Sequence, residues 1–289
     1  MLAAAFVLSQ NIFGAFFTLL SRRLAVALPH AQLQVSAVLY GIAALIVLPF
    51  VWHFGDVTTA DLGRYWPYFL LVGVATSLNA AFMLLIFRFM DAAMGALLMT
   101  THILMTIFAA MYVLGERMGP QELIGAGIAL AAVVYALSVH VSRRERRNWT
   151  LGIVFTLLGA VMFSASATTE KYLLDEVGVA SYLAWSWTAQ CLCAALLSLC
   201  FGVRQYRNVF TRQNIFLLWG AGLTRSLMAL FFALSIVTLK NLCIAVVLAG
   251  LRPLFVSFLG AWLLRERTFL QRKVVASVIA AVGVTIMLL

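Results

Sequence analysis

The sequence predicts an all-α membrane protein with ten transmembrane helices, arranged as two inverted five-helix repeats. Of the 289 residues, 64% are hydrophobic and only 10% are charged, whereas a soluble domain has about 25% charged residues. Ten apolar segments are long enough to cross a bilayer and are separated by short polar connections. The second half of the chain also repeats the first half. Together these features exclude a soluble globular domain and a disordered chain.

Each half supplies five apolar segments, and about 20 helical residues span the hydrocarbon core. The segments are 2–20, 31–53, 65–87, 92–114 and 121–140, then 150–169, 180–202, 214–236, 242–264 and 272–289. None shows the alternating pattern of barrel strands. The first segment has no basic leader and carries Gln10 and Asn11 at its middle, so we expect a retained span and not a signal peptide.

The repeat is visible at an offset of 150 residues. The run 92–114 aligns without a gap to 242–264, and the turn sequences that follow also match, Leu114-Gly115-Glu116-Arg117 with Leu264-Arg265-Glu266-Arg267. Five is an odd number, so the two halves must cross the membrane in opposite senses. This is the inverted-repeat architecture of secondary transporters, with a substrate site near the midplane. We therefore predict repeats at 1–141 and 150–289 within one integral membrane unit.

Basic residues predict the orientation, because short cytoplasmic loops are enriched in Lys and Arg. Fourteen of the 20 basic residues lie in odd-numbered loops and four in even-numbered loops, while Arg225 and Arg252 lie inside spans. The odd loops are therefore expected in the cytoplasm and both termini outside it, in a bacterial inner membrane. The net charge of +10 then indicates contact with anionic lipid and no nucleic-acid partner.

Polar residues at the middle of a span are the candidate substrate-binding residues, because a charge there costs about 3 kcal/mol. Arg225 and Arg252 lie at the centres of spans eight and nine, and His102 aligns with Arg252 in span four. The other candidates are Gln190, Asn79, Gln10, Asn11, Trp185 and Trp187. Each has a structural alternative, in which the polar groups hydrogen-bond between helices and the tryptophans lie at the membrane interface.

No Asp or Glu lies at the centre of a predicted span. The pair Glu170-Lys171 ends span six, where it either gates the cavity or marks the membrane interface, and the second role is favoured. Two central arginines without a central acid predict a positive cavity that binds a carboxylate or a phosphate. His102 is the mid-span group that titrates near neutral pH, so it is the proton-coupling candidate. No nucleotide-binding or catalytic motif is present, so we expect no enzyme activity, cofactor or metal.

Several stretches of the second half resemble a known family. They are Phe232-Ala233-Leu234, Ala245 to Leu248, Arg252-Pro253-Leu254 and Arg265-Glu266-Arg267, with a weaker copy in the first half that ends in Leu114-Gly115-Glu116-Arg117. On these motifs the chain resembles an EamA-like transporter of the drug/metabolite transporter superfamily. The resemblance covers essentially the whole chain. It implies ten helices around a central cavity and the export or exchange of small metabolites.

The predicted function is secondary transport of a small organic metabolite by alternating access, with an anion or an amino acid favoured. One alternative is an exporter of cationic or aromatic compounds that uses Trp185, Trp187 and the many phenylalanines. A less favoured alternative is a membrane-embedded enzyme or a lipid-handling subunit, for which no catalytic set is visible. The expected partners are the substrate and the lipid bilayer. A monomer should suffice, since one chain holds both halves.

Overall fold

The computed structural model describes residues 2–117, 119–137, 143–200, 202, 205–264 and 270–288, and these residues contain helices and no strand. Long apolar runs form helices because a helix satisfies its own backbone hydrogen bonds in lipid. In chain order the helices are α1 (Leu2–Ala27), α2 (Gln32–Phe54), α3 (Thr59–Phe89), α4 (Ala92–Met99), α5 (Thr101–Ala109), α6 (Pro120–Leu137), α7 (Arg143–Cys200), α8 (Tyr206–Val209), α9 (Arg212–Leu239), α10 (Leu242–Ala249), α11 (Arg252–Leu259) and α12 (Leu270–Leu288).

Seven helices among the described residues are long and apolar enough to cross a membrane, with α4–α5 and α10–α11 each counted as one. α7 is also counted once, although Gly178 interrupts it with φ 76° and ψ 169°. That left-handed region favours glycine, and it divides α7 into the arms 143–177 and 179–200. The apolar stretches within α6 and α12 are shorter. The all-helical membrane class is confirmed, and the count of ten spans stays a prediction.

Local structure repeats at the same offset of 150 residues as the sequence. α4 and α10 each begin after a capping side chain, since Asp91 accepts from the Met94 amide and Asn241 accepts from the Ile244 amide. The predicted fourth and ninth spans each end in a π-helical segment, Ala110–Leu114 and Gly260–Leu264. The two halves therefore share helix starts and helix ends, as well as apolar pattern.

The predicted fourth and ninth spans are also broken at their middles, between α4 and α5 and between α10 and α11. At the breaks the Thr100 amide bonds to the Leu97 carbonyl at 3.1 Å and the Gly250 amide to the Val247 carbonyl at 2.8 Å, so the chain tightens into a three-residue turn. Pro253 follows the second break, whereas Ile103 stands at its counterpart. The break therefore forms in both halves without requiring a proline.

The helices pack in pairs around a central space. α3 packs along α7, α1 along α9 and α6 along α12, while α2 lies against both α7 and α9. The outer surface is strongly apolar at repeat-related positions, because Phe108, Tyr112, Phe258 and Trp262 are between 61% and 93% exposed. Bulky apolar side chains in such numbers on the outside fit a surface that faces lipid tails.

Loops of the same parity lie at the same end of the helices. Arg88 donates to the Pro29 carbonyl at 2.7 Å, and Arg23 donates to the Leu263 carbonyl at 3.1 Å, so the first, third and ninth connections share one end. Trp185 donates to the Thr58 carbonyl at 3.0 Å, which joins the second and sixth connections at the other end. This grouping agrees with alternate crossings. The end that faces the cytoplasm stays a prediction.

Candidate functional site

A cavity lies at the centre of the helices, beside both helix breaks. Its walls come from α1, α2, α3, both arms of α7, α9 and the two broken spans. The space that the centre of a water molecule can occupy in the cavity is about 100 Å³. A single water needs about 10–15 Å³ when volume is measured in this way. The cavity therefore has room for several waters or for one small organic molecule.

The structure brings seven of the nine predicted site residues to this cavity. They are Arg225, Arg252, His102, Gln190, Asn79, Gln10 and Trp187. Asn11 instead donates to the carbonyls of Val7 and Leu248, at 2.9 and 3.0 Å. It thereby ties α1 to α10 just before the break.

Trp185 is the other predicted site residue that is not part of the cavity wall. Its indole donates to the Thr58 carbonyl, and its ring meets the Trp52 ring edge-on with centroids 5.4 Å apart. It therefore lies among the connections at one end of the helices. This position matches the interfacial alternative that the sequence left open.

Arg252 is the first residue of α11 and enters the cavity directly after the second break. Its Nε is buried and has no hydrogen-bond partner among the residues that the structure describes. The stem lies against Gly14 of α1, where an added Cβ would be 2.5 Å from Nε and 2.9 Å from Cζ. A buried donor without a partner is costly, so this guanidinium is available to a ligand.

Arg225 makes a hydrogen bond and two ring contacts with neighbouring side chains. Its Nη2 donates to the Tyr40 hydroxyl at 3.1 Å, and its Cζ lies 5.8 Å from the Phe17 ring centroid and 5.3 Å from that of Tyr40. The Tyr40 hydroxyl donates in turn to the Thr76 carbonyl at 3.0 Å. Rings at these distances attract a cation, so α1 and α2 fix the position of this charge at the cavity wall.

Glu170 lines the cavity, although the sequence favoured an interfacial position for it. The first arm of α7 continues through residue 177, so Glu170 lies within the helix and lines the cavity that also contains Arg225 and Arg252. It interacts with the Tyr182 hydroxyl and with the charge of Arg225. The expectation that no carboxylate shares the depth of the two arginines is therefore wrong. Ser166, one helical turn before Glu170, also lines the cavity, and its i, i+4 spacing was the available signal.

Lys171, the chain neighbour of Glu170, points elsewhere. Its ammonium pairs with both carboxylate oxygens of Asp175, one turn further along the helix. Adjacent residues on a helix are about 100° apart, so Glu170 can line the cavity while Lys171 does not.

His102 lies opposite Phe163, with ring centroids 4.1 Å apart. It is 8% exposed, and its Nδ1 lacks a hydrogen-bond partner within the described part of the chain. Gln10 Oε1 and Asn79 Oδ1 are also buried without a hydrogen-bond partner among the described residues. The cavity therefore offers a ligand several polar atoms that the protein itself leaves unsatisfied.

The comparisons can be set beside this geometry. The model of the EamA-like transporter family matches residues 1–138. Over these residues, just under half of the chain, the sequence is similar to the EamA-like transporter family. The matched range holds α1 to α6, which is the predicted first repeat almost to its end. That family consists of membrane transporters of small molecules, and the match does not specify a substrate.

A solved structure extends the likeness in fold beyond residues 1–138. That crystal structure, described only as that of a protein, has a TM-score of 0.68 and 15% identity over 96% of each chain. At that identity the likeness shows the fold alone. No curated protein sequence matches the chain.

Proposed function

We propose that this protein is an EamA-like transporter that carries a small organic molecule with a carboxylate or phosphate group through the central cavity by alternating access. The observation that carries the proposal is Arg252, whose Nε is buried in the cavity wall and lacks a hydrogen-bond partner among the described residues. A guanidinium binds a carboxylate or a phosphate through two parallel hydrogen bonds. Arg252 makes the first contact with the anion, and Arg225 adds a second positive charge.

The charges around the cavity favour an anion with a single charge. Arg225, Arg252 and Glu170 all line the cavity; the two guanidinium groups supply two positive charges, and Glu170 when ionised supplies one negative charge, which then leaves one positive charge in excess. Unbalanced charge is costly at a buried site. A monocarboxylate balances the excess, whereas a dianion overcompensates it.

Alternating access requires two halves that move relative to each other around the site. The helix breaks, the caps and the π-helical segments at an offset of 150 residues support a division into repeats 1–141 and 150–289. Broken helices at a midplane cavity are a feature of inverted-repeat transporters. One chain contains both repeats, so a monomer is the proposed functional unit, located in a bacterial inner membrane. Transport activity confined to a crosslinked dimer would contradict the monomer.

A second candidate is export of cationic or aromatic compounds, and Glu170 favours it. The cavity wall combines this carboxylate with the rings of Trp187, Phe163 and Phe232, which could hold an amine and an aromatic group. The two arginines oppose a ligand whose only charge is positive. An amino acid, with a carboxylate for Arg252 and an ammonium for Glu170, is compatible with both sets of groups.

A ligand panel separates these candidates. Purified protein is tested by thermal shift, and by uptake into liposomes, with benzoate, alanine, succinate, phosphate and tetramethylammonium. Stabilisation and uptake are expected for monocarboxylates or amino acids, because a ligand at 100 times its Kd stabilises by about 2.7 kcal/mol. A response to tetramethylammonium alone would favour the cation exporter. Liposomes without uptake of any small molecule would revive an enzyme or a lipid-handling subunit.

A further inference from the structure

We propose that Gly14 is the positioning residue of Arg252 and sets where the guanidinium lies in the cavity. The inference rests on the proposed role of Arg252 as the anion contact. A Cβ at position 14 would lie 2.5 Å from Arg252 Nε, 2.9 Å from Cζ and 3.1 Å from Cδ. The arginine side chain therefore occupies the space that any other residue at position 14 would fill.

Gly14 lies on the cavity face of α1. Gln10 and Thr18 are one helical turn before and after it, and both line the cavity, so the three residues share one face. Thr18 donates to the Gly14 carbonyl at 2.8 Å, and Gln10 Oε1 is buried without a partner in the described residues. The glycine thus leaves a gap in a polar stripe, and the Arg252 side chain fills that gap.

The repeat-related pair differs at both positions together. Arg22 aligns with Lys171 at an offset of 149 residues, so Phe163 corresponds to Gly14, while His102 corresponds to Arg252 at an offset of 150. The Phe163 ring contacts the His102 ring, with centroids 4.1 Å apart. The shorter imidazole leaves room for a side chain on the helix beside it, whereas the guanidinium does not. The long cation therefore has the smallest residue beside it, and the shorter imidazole has a larger one.

A methyl group at position 14 should move the guanidinium without unfolding the helix. The atoms that it would meet are at the far end of a flexible side chain, so that side chain can turn away. Alanine also favours a helix over glycine. The expected result is a folded protein whose Arg252 is displaced from the anion position.

The test compares Gly14→Ala with Gly41→Ala in full-length protein. Gly41 is a matched control, since a Cβ there meets no described atom within 4 Å. Arginine Nε–H groups are labelled with ¹⁵N, and the Arg252 resonance is assigned through its loss in Arg252→Lys. Gly14→Ala should shift that resonance, and Gly41→Ala should leave it in place. An unmoved resonance in Gly14→Ala overturns the inference, whatever the ligand.

Binding of benzoate provides the second measurement. Gly14→Ala should weaken it about tenfold, in keeping with the loss of one hydrogen bond to a charged group. In an Arg252→Ala background the same change should have no further effect, because Gly14 acts through Arg252. An additive effect of the two changes would also overturn the inference. Unaltered benzoate binding in Arg252→Ala would instead overturn the proposed function, while the resonance shift still tests Gly14.

Discussion

Arg225 and Tyr40 are joined by a hydrogen bond of 3.1 Å from Nη2 to the phenolic oxygen. The bond links α9 in the second half of the chain to α2 in the first. Tyr40 passes the connection on to α3, because its hydroxyl donates to the Thr76 carbonyl at 3.0 Å. One phenol therefore ties a partly buried cation to two helices of the opposite half.

Tyr40→Phe should weaken both the site and the fold. The change removes the hydrogen-bond partner of Arg225 and the second hydrogen bond on the Thr76 carbonyl, which already accepts within α3, and it should lower the free energy of unfolding by about 1–2 kcal/mol. Thermal unfolding in detergent measures this loss. Tyr112→Phe serves as the control, because Tyr112 is 93% exposed and its substitution should leave the midpoint unchanged.

Arg252→Ala should abolish transport and leave a folded protein. Arg252→Lys should weaken substrate binding about tenfold, because lysine lacks the planar pair of donors. Arg225→Ala should also abolish transport, although it should lower stability more, since Arg225 contacts Tyr40 and Phe17. Uptake into liposomes and size-exclusion profiles measure the two effects. Normal uptake by both alanine variants would make the arginines structural. Arg64→Ala, at an exposed position, is the control.

Glu170→Gln should change the charge preference of the cavity. Without this carboxylate the two guanidinium groups are no longer opposed, so succinate should gain more affinity than benzoate does. Competition binding with both ligands gives the ratio. Glu176→Gln is a control on the same helix arm, where the carboxylate accepts from Tyr65 and does not line the cavity. An unchanged ratio in Glu170→Gln would mean that Glu170 does not contribute to the charge at the ligand.

His102→Gln tests the proton-coupling proposal. If His102 exchanges a proton with the substrate, uptake should depend on pH, and the glutamine variant should lose that dependence. Uptake is measured in liposomes with and without a pH gradient. A pH profile that the variant leaves unaltered would remove His102 from the mechanism and favour exchange without protons.

The orientation prediction can be checked with topology reporters. A fusion after Leu289 and one beside Asp56 should both read outside the cytoplasm, because the even-numbered loops carry few basic residues. A fusion in the basic loop near Arg147 should read cytoplasmic. A cytoplasmic reading after Leu289 would contradict the predicted orientation.

The helices could be predicted from the sequence, because hydropathy over about 20 residues follows directly from bilayer thickness. Hydropathy does not show where a helix ends, and this is why Glu170 was assigned to a loop. A charged pair lowers the mean hydropathy of a window without breaking the backbone hydrogen bonds of the helix. The helix break at Thr100 was also not visible, since no proline or glycine stands there.

Within the site, mid-span position was enough to find Arg225, Arg252 and His102, because a polar group at that depth requires a partner. Mid-span position could not decide whether Gln10 or Asn11 lines the cavity. Adjacent residues face different directions, and only the packing of α1 against α10 shows which of the two amides reaches the cavity.

Arg252 and His102 are different residues at equivalent positions of the two repeats, which requires two halves that differ in sequence, as the halves of a fused chain can. Two identical half-chains assembled around a two-fold axis would carry the same residue at both positions. With arginine at both, a second permanent charge would face the cavity, and with histidine at both, no permanent charge would remain there. Joining two copies into one polypeptide lets each copy diverge by itself. One wall of the cavity can then bear a fixed charge while the opposite wall remains free to titrate.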